Sequence, residues 1–295
     1  MKDKIRLSFF CDWGDFPDRL LASAFAEFHD NGADNLVFTN PWMTRLLREP
    51  EFFQTVTFAA RGKVRFNDMH APYGECYDLG CMCRARRKAI IEEHSKAITY
   101  AAELGCRTYT MHVGAYNSVV DHTPNEVIRP LVIESLTELL PVAEKNGVFI
   151  AVENAFERSN TPDEVMYYVN YFNNSYLGCC FDCGHANMMR DAERKGVYSD
   201  YLVNQVWQGN IGFENHAFEK MAPRMVTCHL HDNNGTDDQH LPPGMGMIDW
   251  QKMAWDLLNN APVLETLQTE AEIFGCGISI SDLVKRYRQI FPSLF

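Results

Sequence analysis

The sequence lacks long apolar runs, because no stretch approaches the roughly 18 apolar residues of a membrane-spanning helix. Its opening, MKDKIRLSFF, has too short an apolar run for a secretory signal peptide. We therefore expect a cytoplasmic protein with no membrane partner. An excess of positive charge is also missing. The formal net charge is −12, and this acidity argues against a nucleic-acid partner.

Two common binding motifs are missing as well. Cys76, Cys81 and Cys83 form no paired Cys-x-x-Cys motif, so a structural zinc cluster is not supported. CDWGDF follows the first β-like run, where dinucleotide-binding folds carry a glycine-rich phosphate fingerprint. What remains is a composition of 46% hydrophobic and 22% charged residues, which is typical of a globular protein and excludes a disordered one.

Eight short β-like runs alternate with longer amphipathic segments. The runs are Ile5–Phe10, Asn35–Thr39, Val64–His70, Arg107–His112, Val148–Glu153, Leu177–Asp182, Met225–Leu230 and Val263–Glu270. Helical patterns include Arg84–Leu104 and Asn125–Asn146; Pro124 and Pro162 suit first turns, and Gly105 and Gly147 suit C-terminal ends. Repeated strand–helix units predict a parallel sheet, and closing it removes both edges. We predict an α/β protein with a single (β/α)₈ TIM-barrel domain over residues 1–295.

Metal-binding and acid–base residue types end six consecutive runs. They are His70, His112, Glu153, Asp182, His229 and Glu270, with His185 three residues after Asp182. In a parallel barrel the carboxyl ends of the strands meet at one rim, where enzymes of this fold carry their active sites. Gathering these groups in a cleft without a cation would be costly, because like charges repel and desolvation disfavours charged forms. We therefore predict a divalent-metal site at this rim.

The loop after the seventh run supplies a second set of ligand types. The segment HLHDNNGTDDQHLPPGMGMIDW, residues 229–250, contains Asp232, Asp237, Asp238 and His240. Its glycines and prolines predict a tight path. Asp238 and His240 could bind a metal or hold a substrate, whereas a solvated acidic turn is a serious alternative for Asp237.

Glu265 competes with Glu270 for the eighth strand. A helix of about ten residues and a short turn must follow Asp249 before the strand can begin. Glu265 then falls near the start of the strand, at the wrong face of the barrel. Glu270 falls at its carboxyl end and is the residue that we predict in the site.

In this order, the motifs resemble those of the xylose-isomerase-like TIM-barrel superfamily. They run from His70 to Glu270 and include HVG at 112–114, VEN at 152–154, DCGHAN at 182–187, HLHDN at 229–233, DQH at 238–240 and PGMGMIDW at 243–250. The superfamily includes sugar phosphate isomerases and epimerases, tagatose/allulose-type epimerases, inosose dehydratases and endonuclease IV-type repair enzymes. The motifs are specific for the superfamily and much less specific for one activity. His231 departs from it, because asparagine is common at that position.

For an epimerase-type member, the resemblance implies that Glu153, Asp182, His229 and Glu270 hold one metal ion. Glu153 and Glu270 would also be the catalytic pair, and His185 would contact the substrate. Three carboxylates and one imidazole form an oxygen-rich set that suits Mn²⁺, Mg²⁺ or Co²⁺, with Zn²⁺ also open.

For an endonuclease-type member, the resemblance implies three zinc ions and nine ligands. His70, His112 and Glu153 would hold the first; Glu153, Asp182, His229 and Glu270 the second; His185, Asp238 and His240 the third. The sequence has a matching residue at all nine positions.

We predict a metal-dependent isomerase or epimerase of a sugar or sugar-like substrate. The reaction would pass through an enediolate, with one of Glu153 and Glu270 taking the proton from carbon. The alternatives are a metal-dependent cyclitol dehydratase or lyase, an endonuclease IV-like phosphodiesterase, and a barrel that only binds a ligand. No phosphate cradle is evident, so the expected partner is an unphosphorylated sugar or cyclitol; a homo-oligomer is left open.

Further side chains near the rim are candidates for the substrate pocket. They are Trp13, Trp42, Tyr73, Glu75, Asn154 and Asn187. Stacking on an apolar sugar face is expected for Trp13, although each aromatic fits core or lid packing equally well. The basic residues Arg84, Arg86, Arg87 and Lys88 fall in the third helical segment, where a solvated face explains them better than a phosphate grip.

Overall fold

The computed structural model describes residues 5–11, 17–192, 194 and 196–295, so Trp13 lies outside the described residues. Its strands are β1 (Arg6–Ser8), β2 (Asn35–Phe38), β3 (Arg65–His70), β4 (Thr108–Met111), β5 (Phe149–Glu153), β6 (Leu177–Asp182), β7 (Met225–Leu230) and β8 (Thr266–Thr269). Each strand matches one predicted run. The runs alternate with helices in the predicted order.

The strands form one parallel sheet in the order β1-β8-β7-β6-β5-β4-β3-β2. Phe9 closes the barrel beyond the end of β1, because its amide donates to the Asn35 carbonyl at 2.9 Å and its carbonyl accepts from the Val37 amide at 3.0 Å. The predicted TIM barrel is confirmed.

The α-helices are α1 (Asp18–Asp30), α2 (Asn40–Arg48), α3 (Phe52–Ala60), α4 (Arg84–Leu104), α5 (Ala115–Val119), α6 (Asn125–Asn146), α7 (Pro162–Phe172), α8 (Cys183–Met188), α9 (Ala217–Met221), α10 (Trp250–Asn260) and α11 (Ile280–Ile290). A π-helical turn covers Tyr201–Val206. Both α4 and α6 have the predicted bounds, because Gly105 and Gly147 adopt φ of 91° and 67°, a left-handed conformation that favours glycine. No helix in the described part of the chain is long and apolar enough to cross a membrane.

Several predicted boundaries were wrong by a few residues. Pro124 precedes α6 with an extended backbone (ψ 147°) and does not lie in its first turn. Four of the strands, β1, β2, β4 and β8, also end one or two residues earlier than predicted, whereas β3, β5, β6 and β7 end at the predicted residues. His112 therefore lies just after β4, and Glu270 just after β8. Glu265 lies just before β8, as predicted, and thus at the opposite end of the barrel.

Trp42 packs in the hydrophobic core between sheet and helices. Its ring makes edge contacts with Phe25, Phe38 and Phe66 at centroid distances of 5.9, 5.6 and 6.1 Å. Only 4% of its surface is exposed. Core packing, and not the substrate pocket, therefore accounts for Trp42.

Candidate metal centre and active site

Four side chains meet at the carboxyl end of the barrel: Glu153, Asp182, His229 and Glu270. Each offers a ligand atom, and these atoms all lie within 4.8 Å of one another. His229 is central, since its Nδ1 lies 3.0 Å from Glu153 Oε1, 3.1 Å from Glu270 Oε1 and 3.7 Å from Asp182 Oδ2. All four residues are buried.

The strand register explains why these side chains meet. Glu153 of β5 pairs with Cys180 of β6, while Asp182 pairs with His229 of β7. Alternate residues of a strand face the barrel interior. The pair Glu153–Cys180 and the pair Asp182–His229 therefore lie in neighbouring layers of side chains at the same end of the barrel. Asp182 also fixes the start of α8, because its Oδ1 accepts the His185 backbone N–H at 2.6 Å.

The carboxylates are held in their charged form. Burial raises the pKa of Glu153, but His229 and His112 outweigh it and hold that pKa well below its usual range. Burial likewise opposes ionisation of Asp182 and Glu270, and neighbouring histidines lower both pKa values. The site is therefore a dense set of buried charges with no apolar shielding between them.

Glu153 Oε2 shows that these groups fit a cation. It is a buried carboxylate oxygen without a hydrogen-bond partner. An unsatisfied buried acceptor of this kind costs about 1–3 kcal/mol, and more when charged. His70 Nε2 and His112 Nε2 lie 3.5 and 3.2 Å from it, so the oxygen faces two further ligand nitrogens. A divalent ion at this end of the barrel would satisfy it.

Three histidines of the site have the hydrogen-bonding arrangement that is usual for metal ligands, in which one ring nitrogen bonds a protein oxygen and the other is directed at the ligand site. In each, Nδ1 hydrogen-bonds a backbone carbonyl and Nε2 faces a carboxylate. The pairs are His70 with Ala71 O (2.8 Å) and Glu153, His185 with Asn154 O (3.0 Å) and Asp238, and His240 with Glu270 O (2.9 Å) and Asp238. When the rings are neutral, Nδ1 donates and Nε2 keeps a lone pair for a ligand or metal.

The nine predicted site residues therefore come together at one rim. A cavity of about 290 Å³ opens above them, and seven of the nine line it: His70, His112, Glu153, His185, Asp238, His240 and Glu270. Its outer wall is largely aromatic and aliphatic, formed by Tyr73, Tyr77, Tyr116, Val119, Val120, Phe156 and Tyr201. Among the described residues that line the cavity, none is a lysine or arginine.

Comparison with known proteins decides the family. A profile of the xylose isomerase-like TIM barrel matches residues 55–267, most of the chain. The chain belongs to the xylose isomerase-like TIM-barrel family. It is 26% identical over 226 residues to the uncharacterized protein MJ1311 of Methanocaldococcus jannaschii, a match that covers 75% of this chain and 70% of that protein.

Solved structures of the same fold cover nearly the whole chain. One is 3-keto-D-glucoside 4-epimerase from E. coli, with a TM-score of 0.68, 16% identity and 99% coverage of both chains. Another is the IOLI protein with a binding zinc atom, with a TM-score of 0.70, 14% identity and 99% coverage of both chains. At these identities the likeness shows the fold, and function must be argued from the site.

Of the other residues predicted for the substrate pocket, some line the cavity and others lie elsewhere. Tyr73 lines the cavity, whereas Glu75 is exposed and pairs with Arg86 at 2.9 Å. Asn154 is buried and joins β5 to β6, because its amide bonds the backbone N–H and C=O of Asp182 at 2.8 and 3.1 Å. Asn187 lines a second cavity, of about 190 Å³. Substrate binding by Asn154 and Asn187 stays a prediction.

Sequence reasoning missed several residues of the site. Glu157 lines the cavity, and its Oε2 is buried without a hydrogen-bond partner. His231 is fully buried, with Nε2 at 3.0 Å from Asp182 Oδ2. The sequence prediction assigned one candidate site residue to each strand end, so it included His229 and left out His231. The spacing of two residues from His229 was the available signal, since it places both side chains on the same face.

Asp78 was also missed, and it holds the cavity wall together. Its buried carboxylate accepts backbone N–H groups from Gly80 at 2.7 Å, Gly114 at 2.8 Å and Tyr116 at 2.9 Å. Burial raises its pKa, against these hydrogen bonds. Asp78 thereby ties the loop after β3 to the start of α5, which carries Tyr116 into the cavity.

Proposed function

We propose that this chain is a divalent-metal-dependent sugar isomerase or epimerase with Glu153 and Glu270 as its acid–base pair. One observation carries the proposal: both glutamates line a single cavity and contact the same His229 nitrogen, at 3.0 and 3.1 Å. Two carboxylates that are held against one imidazole and come from different strands can act on the same substrate carbon. That is the requirement for moving a proton off carbon and back.

Glu153, Asp182, His229 and Glu270 would hold the ion. When bound, the ion supplies a positive charge that polarises a substrate carbonyl and stabilises the negative charge left when the proton departs. The oxygen-rich donor set suits Mn²⁺, Mg²⁺ or Co²⁺, and zinc also accepts such ligands. The known zinc-containing structure of the same fold supports a metal here without fixing its identity.

The protein's own groups bind the substrate and move the proton. One glutamate removes the proton beside the carbonyl, and the other delivers a proton to a neighbouring position or to the opposite face. His185, Asp238 and Glu157 face the cavity and can bond sugar hydroxyls. Tyr73 and Phe156 offer apolar surface to the C–H groups of the ring.

The substrate that fits this cavity is uncharged. Phosphate recognition usually uses arginine, lysine or a helix N-terminus. The described residues of the lining include no basic side chain other than histidine, and they include Asp78, Glu157 and Asp238. A phosphorylated sugar would meet net repulsion, so an unphosphorylated sugar or cyclitol is favoured.

Phosphodiester hydrolysis is the second candidate, because all nine histidine and carboxylate positions of that type are filled and meet at one rim. Charge argues against it. Arg86 pairs with Glu75 at 2.9 Å and Arg87 with Glu134 at 2.5 Å, so these basic side chains already have acidic partners. A nuclease needs free cations along its DNA path.

We expect the loaded enzyme to exchange a carbon-bound hydrogen of a free ketose or inosose with solvent. The protein is incubated in D₂O with Mn²⁺, Co²⁺, Mg²⁺ or Zn²⁺ and with a panel of free ketoses and inososes. Deuterium bound to carbon is then detected by NMR. The phosphorylated counterpart should have a kcat/KM at least about tenfold lower, which corresponds to roughly 1.4 kcal/mol. An abasic-site DNA serves as the comparison substrate. Cleavage of that DNA without deuterium exchange in any sugar would contradict the proposal.

A further inference from the structure

The cavity above the proposed metal centre has two chemically different parts. Its floor holds the histidines and carboxylates of the site. Its outer part has a surface that we call the apolar wall, formed by Tyr73, Val119, Val120, Phe156 and Tyr201. Tyr73, Val120 and Tyr201 are 58, 55 and 50% exposed. A concave group of exposed apolar side chains next to polar ones is typical of a ligand-binding surface.

Aromatic rings of the apolar wall lie against histidines of the floor. Tyr73 stacks on the His112 ring, with centroids 5.8 Å apart and planes at 26°. Phe156 meets the His185 ring edge-on at 5.5 Å, and Tyr201 meets Phe156 in the same way at 6.5 Å. The His112 and His185 rings are themselves 6.4 Å apart. Aromatic surface therefore continues from one side of the cavity to the other.

Phe156 and Val119 are held in place by a second hydrophobic cluster, distinct from the main core. Both pack against its buried members, which are Met188, Met189, Leu202 and Val206. The Phe156 carbonyl also accepts the Trp207 indole N–H at 3.0 Å. The same cluster includes the π-helical turn that carries Tyr201. Part of the apolar wall is therefore supported by packed side chains of its own.

Polar side chains near the apolar wall already have partners within the protein. The Asp78 carboxylate accepts backbone N–H groups of the neighbouring loops. The Tyr73 hydroxyl interacts with the Asn40 side chain, and the Tyr116 hydroxyl interacts with the Glu75 carboxylate. Sugar hydroxyls placed against the apolar wall would exchange their bonds with water for contacts with carbon, which costs free energy.

The side chains that can bond sugar hydroxyls lie deeper in the cavity. His185 and Asp238 belong to the floor, where His185 Nε2 lies 3.3 Å from Asp238 Oδ2. Glu157 is close enough to His112 for their charges to interact. Hydroxyl groups are therefore best recognised beside the proposed metal centre, and the part of a ligand that reaches the mouth of the cavity meets mainly carbon atoms.

We propose that the substrate is a sugar conjugated to an aromatic group, with the sugar on the floor and the aromatic group against the apolar wall. The inference rests on the proposed function, because it takes the floor to be the place of reaction. Aromatic groups contact tyrosine and phenylalanine rings at centroid distances of about 4.5–7 Å, in offset-stacked or edge-on arrangements. Free sugars should bind the same floor more weakly.

The competing explanation is that the apolar wall contacts only the C–H groups of the sugar ring. The two explanations differ in what an added aromatic group does to affinity. If the wall serves the sugar alone, a phenyl substituent gains nothing over a methyl substituent. If the wall holds an aromatic group, the phenyl substituent buries more apolar surface and binds more tightly.

The test measures binding and requires no turnover. Isothermal titration calorimetry on the full-length protein in the presence of Mn²⁺ compares the methyl and phenyl β-glycosides of D-glucose, D-galactose and D-xylose. For at least one sugar, the phenyl glycoside should bind at least about tenfold more tightly than the methyl glycoside. Phe156→Ser and Val120→Asn should each lower that ratio to below about threefold. Phe58→Ser should preserve it, because Phe58 is an exposed phenylalanine of α3 outside the cavity.

The outcomes separate this inference from the proposed function. Equal affinity of the methyl and phenyl glycosides for all three sugars, or no binding of any phenyl glycoside, would overturn the inference. A phenyl preference that persists in both cavity variants would also overturn it, since the phenyl group would then bind elsewhere. The proposed function is tested independently by deuterium exchange. A melting curve for each variant shows whether it is folded, and Val120→Asn changes a side chain that is more than half exposed, so it should fold even if Phe156→Ser does not.

Discussion

Glu153→Gln is expected to lower kcat by at least about 10³-fold while the protein stays folded. The substitution keeps the shape of the side chain but removes a ligand charge and a base. General acid–base catalysis alone contributes about 10²–10⁴-fold, and loss of metal charge adds to it. The check is a steady-state measurement on the substrate found by deuterium exchange, with circular dichroism to confirm folding.

Glu265→Gln is the matched control for this prediction. Glu265 carries the same side chain and borders β8, but at the opposite end of the barrel, where it is 39% exposed and lies 3.9 Å from Arg107. Such surface pairs contribute at most about 1 kcal/mol, so kcat should stay within about twofold of wild type. Near-normal activity of Glu153→Gln would exclude its catalytic role, and a large loss in Glu265→Gln would show that β8 is wrongly placed.

Removal of the metal is expected to abolish turnover. It should also make the free energy of unfolding fall as the pH rises, the opposite of the trend in metal affinity. In the metal-free protein, Cys180 together with Glu153 and Glu270 raises the pKa of His229 well above its usual value. Asp182 and Asp238 do the same to the pKa of His185, and Asp238 raises that of His240 to about 9. Burial opposes these shifts and is outweighed. The stability gained from protonated histidines is complete below about pH 6.5 and is lost as the pH rises toward 9.

The carboxylates act at the other end of the pH scale. Glu153, Asp182, Asp238 and Glu270 have lowered pKa values, because nearby histidines outweigh burial. Their contribution is present above their ordinary pKa of about 4 and is lost as the pH falls further. The metal-free protein should therefore be most stable between about pH 4.5 and 6.5.

Metal binding changes this dependence, because ligand imidazoles must lose their protons before they bind an ion. Affinity then rises with pH over the range in which the metal-free protein weakens. Thermal melts with and without Mn²⁺ at pH 6 and pH 8.5 should show a larger metal-induced rise in Tm at the higher pH. A rise that is equal or smaller at pH 8.5 would contradict the proposed ligand set, and full activity after chelation would contradict metal dependence.

Much of the barrel could be predicted because the residues that end its helices mark those ends through their own backbone preferences. Gly105 and Gly147 end their helices through left-handed backbone conformations that few other residues adopt. The C-terminal ends of α4 and α6 can therefore be predicted from the sequence. The site could be predicted for a related reason. Parallel strands bring their carboxyl ends to one rim, so residues that close β3, β5 and β6 must meet whatever lies between them.

What could not be predicted depends on packing between distant segments. His231 fits only because Gly184, 47 positions earlier, has no Cβ, and neither residue signals the other in the sequence. Trp42 follows a strand as a pocket residue would, yet its ring turns into the core against Phe25 and Phe66. Asp78 does not lie at a strand end, and its role depends on the backbone N–H groups of Gly114 and Tyr116 at the start of α5.

The most direct test of the metal centre is a crystal structure of the protein loaded with Mn²⁺, with the ion located by anomalous diffraction. We expect a peak within about 2.0–2.3 Å of a carboxylate oxygen from each of Glu153, Asp182 and Glu270 and of Nδ1 of His229. A peak elsewhere in the barrel, or none at this rim under saturating ion, would contradict the account.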